Sequence, residues 1–148
     1  MAAATDHIGK TYPATTYAVG REKIREFALA TGETQALHLD LTAAHQAGFR
    51  DLVAPPMFCV VYAGAAIRPA LFDPEVGIDF SRLVHGGQRF SWGPLVVAGD
   101  EIETTVTLSD ISSRGPLSFY EFRTVSTREG DGEMVCTGVW SNIVRGEG

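Results

Sequence analysis

The sequence predicts an α+β chain in which an antiparallel sheet wraps one buried helix, and three observations predict it. Residues 57–67 are apolar on every face of a helix, a pattern that only a surrounded helix can carry. From Phe80 onward the apolar positions recur with the two-residue period of strands. A short strand and an amphipathic helix come first, so the order is strand, helices, buried helix, then four antiparallel strands.

The opening strand covers residues 12–19 (Y-P-A-T-T-Y-A-V), with Pro13 suited to a sheet edge, and Gly20 breaks it. Residues 21–30 set Ile24, Phe27 and Ala28 at i, i+3 and i+4 with charges between them, an amphipathic helix ending near Gly32. A second short helix spans residues 41–47, with Asp40 or Thr42 as its N-cap and Gly48 as its stop. After a turn at residues 51–56, Pro55-Pro56 lead into the buried helix, where a proline in the first turn loses no bond. A helix of about 12 residues is about 18 Å long. It needs cover on most sides, and Pro69 and Pro74 stop it.

In the strand region Ile102, Thr104, Val106 and Leu108 alternate with Glu101, Glu103, Thr105 and Thr107, after the turn Gly99-Asp100. Residues 117–126 are aromatic and β-branched, residues 129–132 (E-G-D-G) make a hairpin turn, and residues 134–144 return. In that last strand Val135, Val139 and Ile143 face one way while Met134, Cys136 and Trp140 face the other. Apolar residues on both faces mark a central strand, or one covered by a partner subunit.

A chain of 148 residues suits one domain and can bury about 70% of its unfolded surface without staples. A net charge of −6 argues against a nucleic-acid binder, which needs a basic footprint. A local basic mouth can still take a small anionic substrate. The two cysteines, Cys59 and Cys136, each sit inside an apolar run and read as small core residues, not as a disulfide or metal pair. The N-terminus lacks the basic-then-apolar order of a signal peptide, and the longest apolar run falls short of the about 20 residues that span a bilayer. These readings predict a cytoplasmic protein away from membranes. There is no metal-ligand cluster, phosphate-cradling glycine loop or nucleophile elbow, so neither metal nor cofactor is expected.

The chemistry concentrates in residues 30–40 (A-T-G-E-T-Q-A-L-H-L-D), where Glu33 and His38 stand five apart in a glycine-containing turn. A carboxylate and an imidazole that converge can hold a water and move its protons. The bland alternatives are an exposed turn carboxylate and a polar residue capping the next helix.

Five segments together resemble the MaoC-like hydratase/dehydratase family, closest to its single hot-dog branch with subunits of actinobacterial 3-hydroxyacyl-thioester dehydratases. They are V-G-R-E-K-I-R-E-F-A (19–28), A-T-G-E-T-Q-A-L-H-L-D (30–40), G-F-R-D-L-V-A-P-P-M-F (48–58), G-I-D-F-S-R-L-V-H-G-G-Q-R-F (77–90) and P-L-V-V-A-G-D (94–100). The resemblance implies one hot-dog domain over residues 1–148. It also implies an (R)-specific 2-enoyl-thioester hydratase or 3-hydroxyacyl-thioester dehydratase acting on CoA or acyl-carrier-protein thioesters, as a homodimer or a heterodimer with another hot-dog subunit.

The family's signature has the form G-D-x-N-P-x-H. Here Gly32 matches the Gly, Glu33 stands at the Asp, Gln35 at the Asn, Ala36 at the Pro and His38 at the His. Glu for Asp moves the carboxylate oxygens by roughly 1.5 Å, a displacement that can cost about a hundredfold in rate.

The family polarises the thioester carbonyl with a backbone N–H at the start of the buried helix. Pro56 cannot donate there, which leaves the Met57 N–H, aided by the helix N-terminus. The Pro55-Pro56 form resembles non-catalytic subunits that shape an acyl channel. His85 is implied beside the channel or an interface, against the plain reading of a hydrogen-bonded strand histidine. Gly86 with Gly87 would permit a bulge or a close ligand approach. Arg89 and Arg82 would meet carrier phosphates, or are surface charges. Two alternatives stand beside the hydratase: a non-catalytic binding subunit, and an acyl-thioesterase. The thioesterase needs a carboxylate on or beside the buried helix, and residues 57–72 contain none.

Overall fold

The computed structural model describes residues 5–146. The N-terminal stretch read for a leader therefore lies partly outside the described residues. Five strands, β1 (Thr11–Ala18), β2 (Leu83–Trp92), β3 (Glu101–Arg114), β4 (Leu117–Arg128) and β5 (Met134–Arg145), form one antiparallel sheet in the order β1-β3-β4-β5-β2. Three α-helices precede β2: α1 (Arg21–Ala30), α2 (Leu41–Gln46) and α3 (Cys59–Leu71), the last entered by a 3-10 turn at Pro56–Phe58. A further 3-10 turn, Phe80–Arg82, leads into β2.

Strand alternation sorts the residues as the sequence predicts. Ile102, Thr104, Val106 and Leu108 of β3 are all buried. They sit in register with Arg128, Ser126, Thr124 and Phe122 of β4. Two hydroxyls in that interior satisfy one another, with Thr104 Oγ1 and Ser126 Oγ 2.7 Å apart. β1 is an edge strand, and Pro13 falls within the register shift between Tyr12 and Thr15, where no ladder bond is lost. β5 lies inside the sheet, between β4 and β2, the central position that the sequence offers for it.

Helix α3 runs alongside the strands, with one core cluster at each end. At its start Phe58, Cys59, Tyr62 and Ala63 pack with Ile24, Leu52, Ile102 and Cys136. Further on, Ala66, Ile67 and Ala70 pack with Val106, Leu108 and Phe122. Phe58 is fully buried, a contribution of about 2–3 kcal/mol. Its ring meets Phe27 edge-on at 5.5 Å and Tyr17 and Tyr62 at 6.3 Å. That cage fixes where the helix begins.

One expectation needs correction. Pro69 does not end the helix, which continues to Leu71. A proline this close to the C-terminus removes only one N–H bond, and the terminal turn tolerates the loss. α3 is covered on most sides, as the sequence predicts. It packs on β1, β3 and β4, while Ala65, Arg68 and Pro69 are exposed and the inner side of β2 is largely uncovered.

Candidate active site

The turn after α1 explains how Glu33 is presented. Gly32 adopts φ +75°, its N–H donates to the Leu29 carbonyl at 3.3 Å, and the Glu33 N–H reaches back to the Ala28 carbonyl at 2.8 Å. This closure satisfies the last helical carbonyls and needs a left-handed residue, the conformation glycine adopts without strain. Glu33 leaves the helix half-buried. Its carboxylate makes no hydrogen bond or ion pair among the described residues, so no direct bond joins it to His38.

His38 ends the 3-10 turn Ala36–His38, two residues before Asp40, which caps α2 by accepting from the Thr42 N–H at 2.8 Å. The Asp40 reading is met, and Thr42 is the residue capped. His38 is 6% exposed, and its Nδ1 lies 2.6 Å from the Val53 carbonyl oxygen. A carbonyl only accepts, so Nδ1 carries a proton, and in the neutral imidazole Nε2 is the lone-pair acceptor. The backbone repeats the link, with the Val53 N–H donating to the Leu37 carbonyl at 2.9 Å.

Val53 is itself held firmly. It bridges to Val97, while the Ala54 N–H donates to Val96 O at 2.8 Å and the Ala98 N–H to Leu52 O at 2.9 Å. Arg21 grips Asp51 through two hydrogen bonds of 2.9 and 2.8 Å, which hold the Asp51 carboxyl below the usual range. The buried Asp100 accepts from the Val97 N–H at 2.9 Å and pairs with Arg50 and Arg128. His38 therefore rests on a clamped segment that leads directly into the helix start.

At that start Phe58 N–H is bonded to Pro55 O at 2.8 Å. The Met57 N–H has no partner among the described residues, one of the orphan donors of a first turn. Met57 and Pro56 are exposed, and Trp92 Nε1 donates to the Pro56 carbonyl at 2.8 Å. Beside them a pocket of about 260 Å³ is lined by Pro55, Pro56, Cys59, Tyr62, Trp92 and Leu95, among other largely apolar residues.

Cys59 and Cys136 are buried and free. The two thiols interact, which pushes Cys59 up, while hydrogen bonds from Cys59 and Tyr62 draw Cys136 down. Both belong to the core at the helix start, though far apart in sequence.

The remaining sequence candidates lie elsewhere in the chain. His85 stands on the inner side of β2, with its ring 6.2 Å from that of Trp140, opposite Asn142 and far along the strand from Trp92. Gly86 is the extra residue of a bulge between His85 and Gly87, and a Cβ there would meet Ile143 Cδ1 at 2.7 Å. Arg89 is exposed and pairs in register with Val139, on the face away from α3. Arg82 has an ion pair with Asp79 at 3.4 Å. One chain thus ties His38 to the segment that leads into the helix start, while His85, Gly86 and Arg89 lie on β2. Residue type alone does not single out Val53, which orients His38, or Trp92, which ties the helix entry to β2. A backbone carbonyl leaves no trace in residue type, but W-G-P at a strand end was a usable signal.

Among the described residues no group of three or more His, Cys, Asp or Glu is placed to hold a metal ion. No helix among them is long and apolar enough to cross a membrane.

The comparisons agree with this architecture. A UPF0336 protein of Leifsonia xyli subsp. xyli is 44% identical over 140 residues, covering 94% of this chain and 93% of that protein. A UPF0336 protein of Saccharopolyspora erythraea is 43% identical, with 94% and 89% covered. Among solved structures, a chain of the Mycobacterium tuberculosis HadBC (3R-hydroxyacyl-ACP dehydratase) complex superposes with a TM-score of 0.80 at 28% identity, covering 94% of this chain and 98% of that one. A protein described as a MaoC-like dehydratase gives a TM-score of 0.83 at 28% identity, covering 95% of this chain and 42% of the other. Residues 6–138 match the family described as FAS1-like, dehydratase domain region. The chain belongs to this dehydratase-region family, a MaoC-like group with the hot-dog fold.

Proposed function

We propose that the chain is an (R)-specific 2-enoyl-thioester hydratase or 3-hydroxyacyl-thioester dehydratase, in which Glu33 and His38 handle the water. The carrying observation is His38, buried, with Nδ1 committed to the Val53 carbonyl and Nε2 left as an acceptor, on the segment that ends at the unpartnered Met57 N–H. In hydration the water oxygen attacks C3 as its proton passes to one member of the pair, for which His38 Nε2 is the free acceptor. Cα receives its proton from the same pair. Charge that builds on the thioester oxygen is met by the Met57 N–H at the helix N-terminus. The pocket behind Pro56 and Trp92 suits the start of an acyl tail. His85, Gly86 and Arg89 would serve this site only from a neighbouring subunit.

A second reading has its own support. Glu33 makes no bond to His38 in this chain, Pro55-Pro56 occupy the helix entry, and a HadBC subunit is a structural neighbour. On that reading the chain is a non-catalytic subunit that shapes the acyl channel for a catalytic hot-dog partner. On either reading a second hot-dog subunit covers the open edge of β2 and the exposed side of α3.

Crotonyl-CoA hydration by the purified chain separates the two. The first reading expects turnover that falls about 10²–10⁴-fold in His38→Ala and Glu33→Gln. Full activity in both variants would remove this site from the mechanism. Inactivity of the chain alone, with activity restored by a hot-dog partner and untouched by His38→Ala, selects the second.

A further inference from the structure

Across the inner face of the sheet, Tyr120 of β4, Asn142 of β5 and His85 of β2 lie side by side in one register row. The rows on the way from Trp92 are built differently: Cys136 beside Trp92, Gly138 beside Phe90, and Trp140 beside Gln88. Asn142 is 4% exposed, yet its Nδ2 has no hydrogen-bond partner. Neither the Tyr120 hydroxyl nor the His85 imidazole makes a hydrogen bond among the described residues. A buried amide left unpaired is costly, and such groups are rare in folded proteins. Three neighbouring polar side chains have unused bonding capacity; Tyr120 and Asn142 are buried and His85 beside them is exposed, so the row opens toward a ligand from the His85 side.

We infer that this row is a subsite for an uncharged amide or hydroxyl group carried by the thioester ligand. The inference rests on the acyl-thioester reading above. Phenol, amide and imidazole each donate and accept, and no lysine or arginine joins the row, so a phosphate or carboxylate is a poor match. The row lies six residues along β5 from Cys136, about 20 Å at the rise of a strand, whereas the helix start is at the Cys136 end. An oxygenated long acyl chain can carry such a group over that distance, whereas the pantetheine amides, within roughly 10 Å of the sulfur, meet the row only when the thioester itself lies partway along the face.

Isothermal titration of the wild-type chain and of Asn142→Leu tests the subsite and separates these sources. Three probes are used: hexadecanoyl-CoA, S-hexadecanoyl-N-acetylcysteamine, and S-(16-hydroxyhexadecanoyl)-N-acetylcysteamine. If the row reads the pantetheine arm beyond its cysteamine amide, the variant weakens hexadecanoyl-CoA by roughly tenfold and leaves both cysteamine thioesters unchanged. If it reads an acyl-chain oxygen, only the hydroxylated thioester weakens by that factor. Equal weakening of all three probes assigns the row to the cysteamine amide that they share, and no effect on any of them overturns the subsite while leaving the acyl-thioester reading intact. Failure of every probe to bind wild-type protein, alone or with a hot-dog partner, overturns both. Asn142→Leu is expected to melt no lower than wild type, because it removes an unpaired amide from the interior. A marked fall in melting temperature would assign Asn142 a purely structural role and also overturn the inference.

Discussion

At the scale of single residues, some glycines set a turn and others allow a close approach. Gly32 belongs to the first kind, since the closure of α1 needs its positive φ and delivers Glu33. Gly93 belongs to the second. A Cβ there would sit 2.2 Å from the Met134 carbonyl oxygen, a backbone atom that cannot swing aside. At Gly86 the obstacle is the end of the Ile143 side chain at 2.7 Å, which can rotate. We therefore expect Gly93→Ala to lose about 1–3 kcal/mol, a fall in Tm of roughly 3–10 °C, and Gly86→Ala to lose clearly less. Thermal unfolding of the two variants checks the order. A larger loss at Gly86 would mean that the bulge, and not the β2–β5 approach near Gly93, is the tighter contact.

At the scale of elements, α2 is a helix of six residues that would not persist alone. Asp40 caps it, and His38 stands two residues upstream on the same backbone. Asp40→Ala should cost about 1 kcal/mol in a urea titration. On the hydratase reading it should also lower kcat more than it raises KM, because the imidazole loses its fixed aim while the pocket stays intact. A change in KM alone would place the cap's influence on substrate binding. The helix start illustrates a related division of labour. Phe58 seats it, the prolines shape its entry, and Trp92 ties it to β2. This joinery was legible only as a proline pair, because its contacts join residues far apart in sequence, 36 positions for Trp92 and Pro56.

At the scale of the whole molecule, the N-terminal strand is fastened to the far end of α3 by one cluster. Asp73 accepts from the Tyr12 hydroxyl at 2.8 Å and pairs with Lys10 at 2.6 Å. Burial alone would raise the Asp73 pKa, but the hydrogen bonds from Lys10 and Tyr12 outweigh it and set it at about 2, below the ordinary 3.8. A depressed folded-state pKa stabilises the protein above the ordinary value, and that contribution disappears as pH falls through the folded one. Stability should therefore drop between about pH 4 and about pH 2. Asp73→Asn should flatten that part of the profile, as read by thermal unfolding across the window. An unchanged slope would move the acid sensitivity to other carboxylates such as Asp51.

Fold and site were legible to different degrees, for a physical reason. Hydrophobic period, turn glycines and the wholly apolar run at residues 57–67 are local properties, and they determined the strands, the helices, their order and the buried helix. The hydratase-like spacing of Glu33 and His38 was local as well, as was the loss of a donor at Pro56. Only the tertiary structure decided that Val53 orients His38, that Cys59 meets Cys136, and that Tyr120, Asn142 and His85 share one row. It also decided that Gly86 and Arg89 face away from α3. Each of these depends on which strands become neighbours and in what register, and register is a property of the assembled sheet, not of any one segment.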